Sequence, residues 1–328
     1  WRVLGGYAIF MIATAAIILG GIQKGIERIS KVLMPALFVL LLVVIVRSVT
    51  LPGAWEGVVF LLKPTTEAFS PKVVMMALGQ AFFSLSLGMA ITITYGSYLN
   101  RQQSILKAAG WVGILDTMAA LLAGLAIFPA VFSVGLEPSA GPGLIFGALP
   151  ATFATMPLSA VWATCFFAML LIAAVTSSAS LLECVATVLI ERIRKSHKRC
   201  PRRVAVWISL VGCFLLGLLS VFSTADWSEL PLVEKATRWS MGSLTQGNWF
   251  DTVDSFASNW GLPFTALTIA ILVGWFYGTR RAIKGLLSDD ASKMPPKWLL
   301  TAWGFSLKWI APVAILLVFL TMSGLLKL

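Results

Sequence analysis

Hydroxyl-bearing residues set in the middle of apolar runs are the first candidates for chemistry in this chain. The tract Ala77–Leu99, ALGQAFFSLSLGMAITITYGSYL, is apolar enough to enter a bilayer, yet its centre reads Ser84-Leu85-Ser86-Leu87-Gly88. Glycine costs about 1 kcal/mol relative to alanine inside a helix, and serine competes for local backbone hydrogen bonds. Irregular backbone at membrane depth persists only where protein buries it or where it lines a polar cavity. The tract therefore reads either as a broken helix offering carbonyls to a substrate or ion, or as a small-residue contact between helices. A second tract, AAVTSSASLLECVATVLIER (173–192), places Ala173, Thr176, Ser177 and Ser180 at i, i+3, i+4 and i+7, on one helical face. Hydroxyls joined by backbone carbonyls suit a small hard cation. Close contact between small residues explains the same pattern, and the residues leave both readings open.

Carboxylates supply the next candidates. Asp116 lies inside GILDTMAALLAGLAIFP (113–129). A charge within a span is costly unless partnered and marks a functional site by default; snorkelling to the nearer surface is the alternative. Glu183 has the same two readings. The stretch Gly25–Pro35, GIERISKVLMP, opens an apolar run with glycine and carries proline inside it, so that end either unwinds or kinks. His197 sits in a basic run and reads as solvated. Cys165, Cys184, Cys200 and Cys213 show no CxxC spacing, which supports neither a disulfide framework nor a zinc site. No GxSxG, HExxH or Walker sequence is present, so the chain does not read as an enzyme.

The elements that must position these residues follow from composition. Apolar residues make up 58% of the chain and charged residues 12%, with a mean hydropathy of +0.89, far from a soluble domain with about a quarter charged residues. Spans of roughly 20 apolar residues fall at 3–22, 32–50, 73–99, 108–133, 158–190, 204–222, 258–278 and 299–325. The expected fold is an all-α integral membrane protein forming a single polytopic domain over 1–328. The net charge of +11 is gathered in the loops after the first, third, fifth and seventh spans, while 134–157 has no Lys or Arg. That alternation indicates membrane orientation and not nucleic-acid binding, and it puts both termini outside. Because the chain opens on Trp1 without a signal peptide, an odd number of spans is expected upstream, and the sequence reads as an N-terminally truncated fragment.

The tracts Gly20–Ala54, Gly79–Leu99 and Ala173–Leu182 together resemble the neurotransmitter:sodium symporter family, most of all its bacterial amino-acid transporter branch, over essentially the whole chain. The resemblance implies the inverted-repeat transporter fold, with the spans here similar to the family's helices 4 to 11 and helices 1 to 3 missing. It implies a sixth family helix unwound at its middle, with Phe83, Ser84, Leu85, Ser86, Gly88, Met89, Ser177 and Leu181 lining an amino-acid substrate. Ser84 and Asp116 would help hold a first sodium ion, Asp116 standing where relatives often have Asn. Ala173 (carbonyl), Thr176 and Ser177 would hold a second. Asp254, Glu191 and Tyr98 match gate positions, and Gly25 to Pro35 resembles an element that unwinds during opening. Ala120 stands where chloride-dependent relatives have a hydroxyl, so chloride is expected not to be required. The family's first helix and the arginine partners of both gates are absent from the sequence, which leaves both sodium sites incomplete in this chain.

The resulting expectation is sodium-coupled symport of a neutral, large hydrophobic or aromatic amino acid in a bacterial inner membrane. A non-transporting receptor-like or regulatory membrane protein on the same fold is the alternative. Expected partners are the amino acid, sodium ions and the lipid bilayer.

Overall fold

The structure, a computed structural model, describes residues 2–99, 104–136, 143–195, 201–224, 249–286 and 296–326. Every regular element among them is helical. In chain order these are α1 (Arg2–Leu19), α2 (Arg28–Val49), α3 (Ala54–Leu62), α4 (Pro71–Ser84), α5 (Ile91–Gly96), α6 (Ile105–Ser133), α7 (Leu149–Ala154), α8 (Ser159–Lys195) and α9 (Arg202–Thr224). Two long helices follow, α10 (Trp249–Ile283) and α11 (Lys297–Met322), both carrying π-helical turns.

Among the described residues, six helices are long and apolar enough to cross a membrane. The two other expected spans differ in an informative way: α1 is a shorter apolar helix, and the third is split into α4 and α5. The apolar windows of the six helices are only 11% to 28% buried, so most of that surface faces outward. In water such faces would be an aggregation liability; in lipid they are the solvent-matched surface.

Two elements fall in stretches expected to be loops. The segment AWEGVVFLL forms α3, and α7 begins with Pro150 in its first turn, a position where the missing N–H is not needed. Both are too short to span a bilayer. The Gly25–Pro35 tract is helical throughout. Gly20 and Gly21 make the turn after α1, residues Ile22–Glu27 form a π-turn with Gly25 against the Ile17 carbonyl, and α2 continues through Pro35.

The chain divides into two compact units, one of residues 12–65 and 114–182, the other of 1–11, 66–113 and 183–328. The first has a core of Leu41 and Val44 from α2, Ala130 and Val131 from α6, Leu149 and Phe153 from α7, and Phe166 from α8. In the second, Ala266 and Ala270 of α10 meet Ile315 of α11, with Phe82 of α4 against them. Inside a bilayer these contacts stabilise through close fit and dispersion, since lipid tails are as apolar as the side chains they replace.

Candidate functional site

The interruption in the third span is built residue by residue. Ser70 caps α4 by accepting from the Val73 amide, and Pro71 occupies its first turn. The helix stops at Ser84. Leu85 N–H reaches Ala81 O at 3.0 Å, Ser86 N–H reaches Phe83 O at 3.0 Å, and Leu87 N–H reaches Phe82 O at 2.9 Å. The chain then turns left-handed three times in five residues, with φ of 56° at Ser86, 82° at Gly88 and 61° at Ala90. It re-enters helix at Ile91. None of the backbone bonds bridging the interruption ends on the carbonyls of Leu85, Leu87, Gly88 or Met89. Left-handed backbone costs roughly 1–2 kcal/mol for a residue with a Cβ, and such strain collects at ligand clamps and switch regions. Gly88 has a further constraint: a Cβ there would lie 2.5 Å from the Leu262 carbonyl oxygen of α10.

Beside this break lies a cleft of about 830 Å³ formed by α4, α10 and the end of α11. Phe83, Gln80, Asp254, Asn259 and Pro263 line it. Phe83, in the last turn of α4 before the break, is half exposed and lines this cleft.

On α8, in the other unit, the Thr176 hydroxyl lies 3.0 Å from both the Ile172 and Ala173 carbonyl oxygens. The Ser177 hydroxyl and Leu181 are on the exposed side of the same helix. Ser178 meets Thr14 of α1, hydroxyl to hydroxyl at 2.9 Å, and Ser180 donates to Thr176 O at 3.1 Å. Uncharged hydroxyl and carbonyl oxygens clustered in this way fit a hard monovalent cation. Among the described residues no three His, Cys, Asp or Glu side chains converge as a metal cluster. Asp116 is half-buried on α6 of this unit. Thus Phe83 to Met89 belong to one unit, while Asp116, Ala173, Thr176, Ser177 and Leu181 belong to the other.

The remaining acidic residues behave differently from one another. Glu183, whose side chain is fully buried, forms an ion pair with Arg202 at the start of α9. The Tyr98 hydroxyl donates to Glu183 Oε1 at 3.2 Å, the Thr187 hydroxyl does so at 3.3 Å, and the two hydroxyls are 2.9 Å apart. Both carboxylate oxygens are therefore engaged, which is what a buried charge requires. Glu191, about two turns further along α8, is exposed, as is Asp254 on α10. Tyr98 thus bonds Glu183 and Thr187. Sequence reasoning counted Arg202 among the loop cations and missed its role as the partner of Glu183. The Glu183–Thr187 spacing of four on one helix was the signal available; nothing in the pattern pointed to an arginine beyond the next turn.

Several comparisons bear on this geometry. A sequence profile of the Sodium:neurotransmitter symporter family matches residues 6–326. The chain is 35% identical over 326 residues to the uncharacterised sodium-dependent transporter YhdH of Bacillus subtilis, covering 99% of this chain and 68% of that protein. It is 36% identical over 313 residues to an uncharacterised sodium-dependent transporter of Haemophilus influenzae, covering 95% and 64%. It spans about two thirds of the length of these relatives. The crystal structure of MhsT in complex with L-phenylalanine superposes with a TM-score of 0.78 at 40% identity, over 96% of this chain and 67% of MhsT. The relatives are transporters and not enzymes, and the chain belongs to the sodium:neurotransmitter symporter family.

Proposed function

We propose that this chain forms the larger part of a sodium-coupled symporter that carries a neutral amino acid, with a large hydrophobic or aromatic side chain preferred, by alternating access across a bacterial inner membrane. The observation that carries the reading is the strained break at Leu85–Ala90, where carbonyls are left out of the helix ladder in a chain of this family. In the proposal Phe83, Ser84, Leu85, Ser86, Gly88, Met89, Ser177 and Leu181 contact substrate. Ser84 and Asp116 contribute to one sodium site, while the Ala173 carbonyl with Thr176 and Ser177 contributes to a second. Sodium next to the substrate carboxylate favours both ligands, which is the physical basis of coupling. Asp254, Glu191 and Tyr98 act at gates, and the Gly25–Pro35 segment yields during opening. The assignment of the spans as the family's helices 4 to 11, following three that precede them, belongs to the same proposal.

Substrate size follows from the side-chain end of the pocket. Met89 is unbranched and can move aside, then pack sulfur to ring edge against an aromatic substrate. None of the assigned substrate-lining residues offers a charge to an ionic side chain. MhsT, at 40% identity, was crystallised with L-phenylalanine, which supports the reading. Proteoliposomes holding the product of the complete gene test it: an inward sodium gradient should drive accumulation of Trp, Tyr, Phe or Leu, and Gly, Ala, Asp and Lys should compete poorly. Glycine or alanine displacing the best substrate as well as Trp does would remove the large-pocket assignment. Binding without gradient-driven accumulation would favour a receptor-like protein.

A further inference from the structure

Two π-helical turns on neighbouring helices face each other, Leu272–Gly278 in α10 and Ser306–Ile310 in α11. Gly274 permits the approach, since a Cβ there would lie 3.2 Å from the Leu307 carbonyl oxygen and 3.3 Å from the Lys308 Cα. Beside the crossing, Trp275 donates its indole N–H to the Lys308 carbonyl at 3.1 Å. The Lys308 ammonium sits 4.8 Å from the centre of the Trp275 ring and 5.7 Å from that of Trp309. The two indoles meet edge to face at 5.0 Å, and each is about half exposed.

This lysine lies within an apolar span, where a charge marks a functional position by default. The ion pairs among the described residues are Lys31–Glu27 and Arg202–Glu183, so Lys308 has no carboxylate partner there. An ammonium carries three N–H donors, and among the described residues none of them meets an oxygen acceptor. The Trp309 N–H has no acceptor among the described residues either. Depth is fixed by the neighbours: a Cβ added at Gly304 would lie 3.6 Å from the Thr279 Cβ and 3.6 Å from the Ile283 Cδ1. That end of α11 is therefore level with the turn of α10 bearing Arg280 and Arg281. Lys308 lies one turn deeper, about 6 Å. Val313, one turn deeper than Trp309 on the same face, is also exposed.

A cation whose N–H donors have no acceptor among the described residues, flanked by indoles and rising toward a pair of arginines, suits an amphipathic anion at a membrane surface. We propose that Lys308, Trp275 and Trp309 bind the phosphate headgroup of an anionic phospholipid, with its chains running deeper into the membrane along Val313. The inference requires only that α10 and α11 sit in a bilayer, and it stands apart from the transport assignment. The basic loop supplies general attraction to anionic lipid, but the oriented donors at Lys308 and Trp309 give this position its preference.

Tryptophan quenching by brominated lipids tests the site, with the protein in nanodiscs of phosphatidylcholine containing roughly 25% of either brominated phosphatidylglycerol or brominated phosphatidylcholine. The signal of interest is the fluorescence lost on replacing Trp275 and Trp309 together by Phe. That signal should be quenched about twofold or more by the phosphatidylglycerol relative to the phosphatidylcholine. Lys308→Arg should keep the preference and Lys308→Gln should lose it, while Arg280 and Arg281 hold the general attraction constant. Equal quenching by the two lipids in the unsubstituted protein would overturn the site, as would a preference surviving in Lys308→Gln. Millimolar inorganic phosphate should leave the preference unchanged; its loss would reassign the site to a free anion.

Discussion

Gly88 shows how one residue type can be fixed by two independent constraints. Its φ of 82° lies where a Cβ is disfavoured, and the Leu262 carbonyl occupies the space a Cβ would take. Left-handed backbone costs about 1–2 kcal/mol and overpacking a further 1–3 kcal/mol. Gly88→Ala should therefore cost about 2–5 kcal/mol, read as a lowered melting temperature of the purified protein. Gly96→Ala is the control, because nothing lies within 4 Å of a Cβ there, and it should be nearly neutral. Equal melting of the two variants would contradict this account of the break. Ser86 and Ala90, which are also left-handed, show the limit of sequence reading at this scale. Ser84, Ser86 and Gly88 flagged the interruption, but alanine is the best helix former, and nothing marked Ala90 as the third left-handed turn.

At the scale of elements, the apolar runs were legible because bilayer thickness sets their length. Six of the eight correspond to α2, α6, α8, α9, α10 and α11, helices long and apolar enough to cross a membrane, while the other two fall on the shorter α1 and the divided α4–α5. The short helices α3 and α7 and the π-turns escaped, because they depend on contacts between segments rather than on periodicity. The same holds for the junction of Tyr98, in the turn after α5, with Glu183 of α8 and Arg202 of α9, where the partners come from separate segments. Removing one member of a buried pair typically costs about 3–5 kcal/mol, because the other charge is left uncompensated. Arg202→Gln leaves a buried carboxylate, whereas Glu183→Gln keeps an oxygen for Tyr98 and Thr187 and leaves an arginine that is 29% exposed. Arg202→Gln should therefore be the more destabilising substitution in thermal melts, and the reverse order would show that the junction is not held by this charge.

For the whole molecule, family membership and fold rest on the length of the match, while the proposed ion sites rest on particular residues. Asp116 brings a carboxylate to α6, and Ala120, one helical turn away, has no hydrogen-bond donor to offer an anion. A chloride ion near Asp116 would set like charges together in a poorly screened site. Uptake is therefore expected to be unchanged when chloride is replaced by gluconate, and uptake that disappears on that exchange would overturn the assignment of Asp116 as the supplied negative charge. The residue types at 84–89 and 173–177 are what single out these segments in the sequence as candidates for substrate and cation contacts. What those types could not convey is how the hydroxyls are oriented: Thr176 turns toward its own helix carbonyls at Ile172 and Ala173.

That orientation gives the account its most direct test, the sodium dependence of amino-acid binding. Equilibrium binding of labelled L-phenylalanine to the full-length protein should rise and saturate as sodium replaces potassium. Replacing Thr176 and Ser177 together by Ala removes two oxygens from a cation that needs several. Sodium-stimulated binding should then fall about tenfold or more, while the folded protein still accumulates and melts near the temperature of the unsubstituted form. Sodium dependence that is unchanged in the double variant would contradict the placement of sodium on this face of α8.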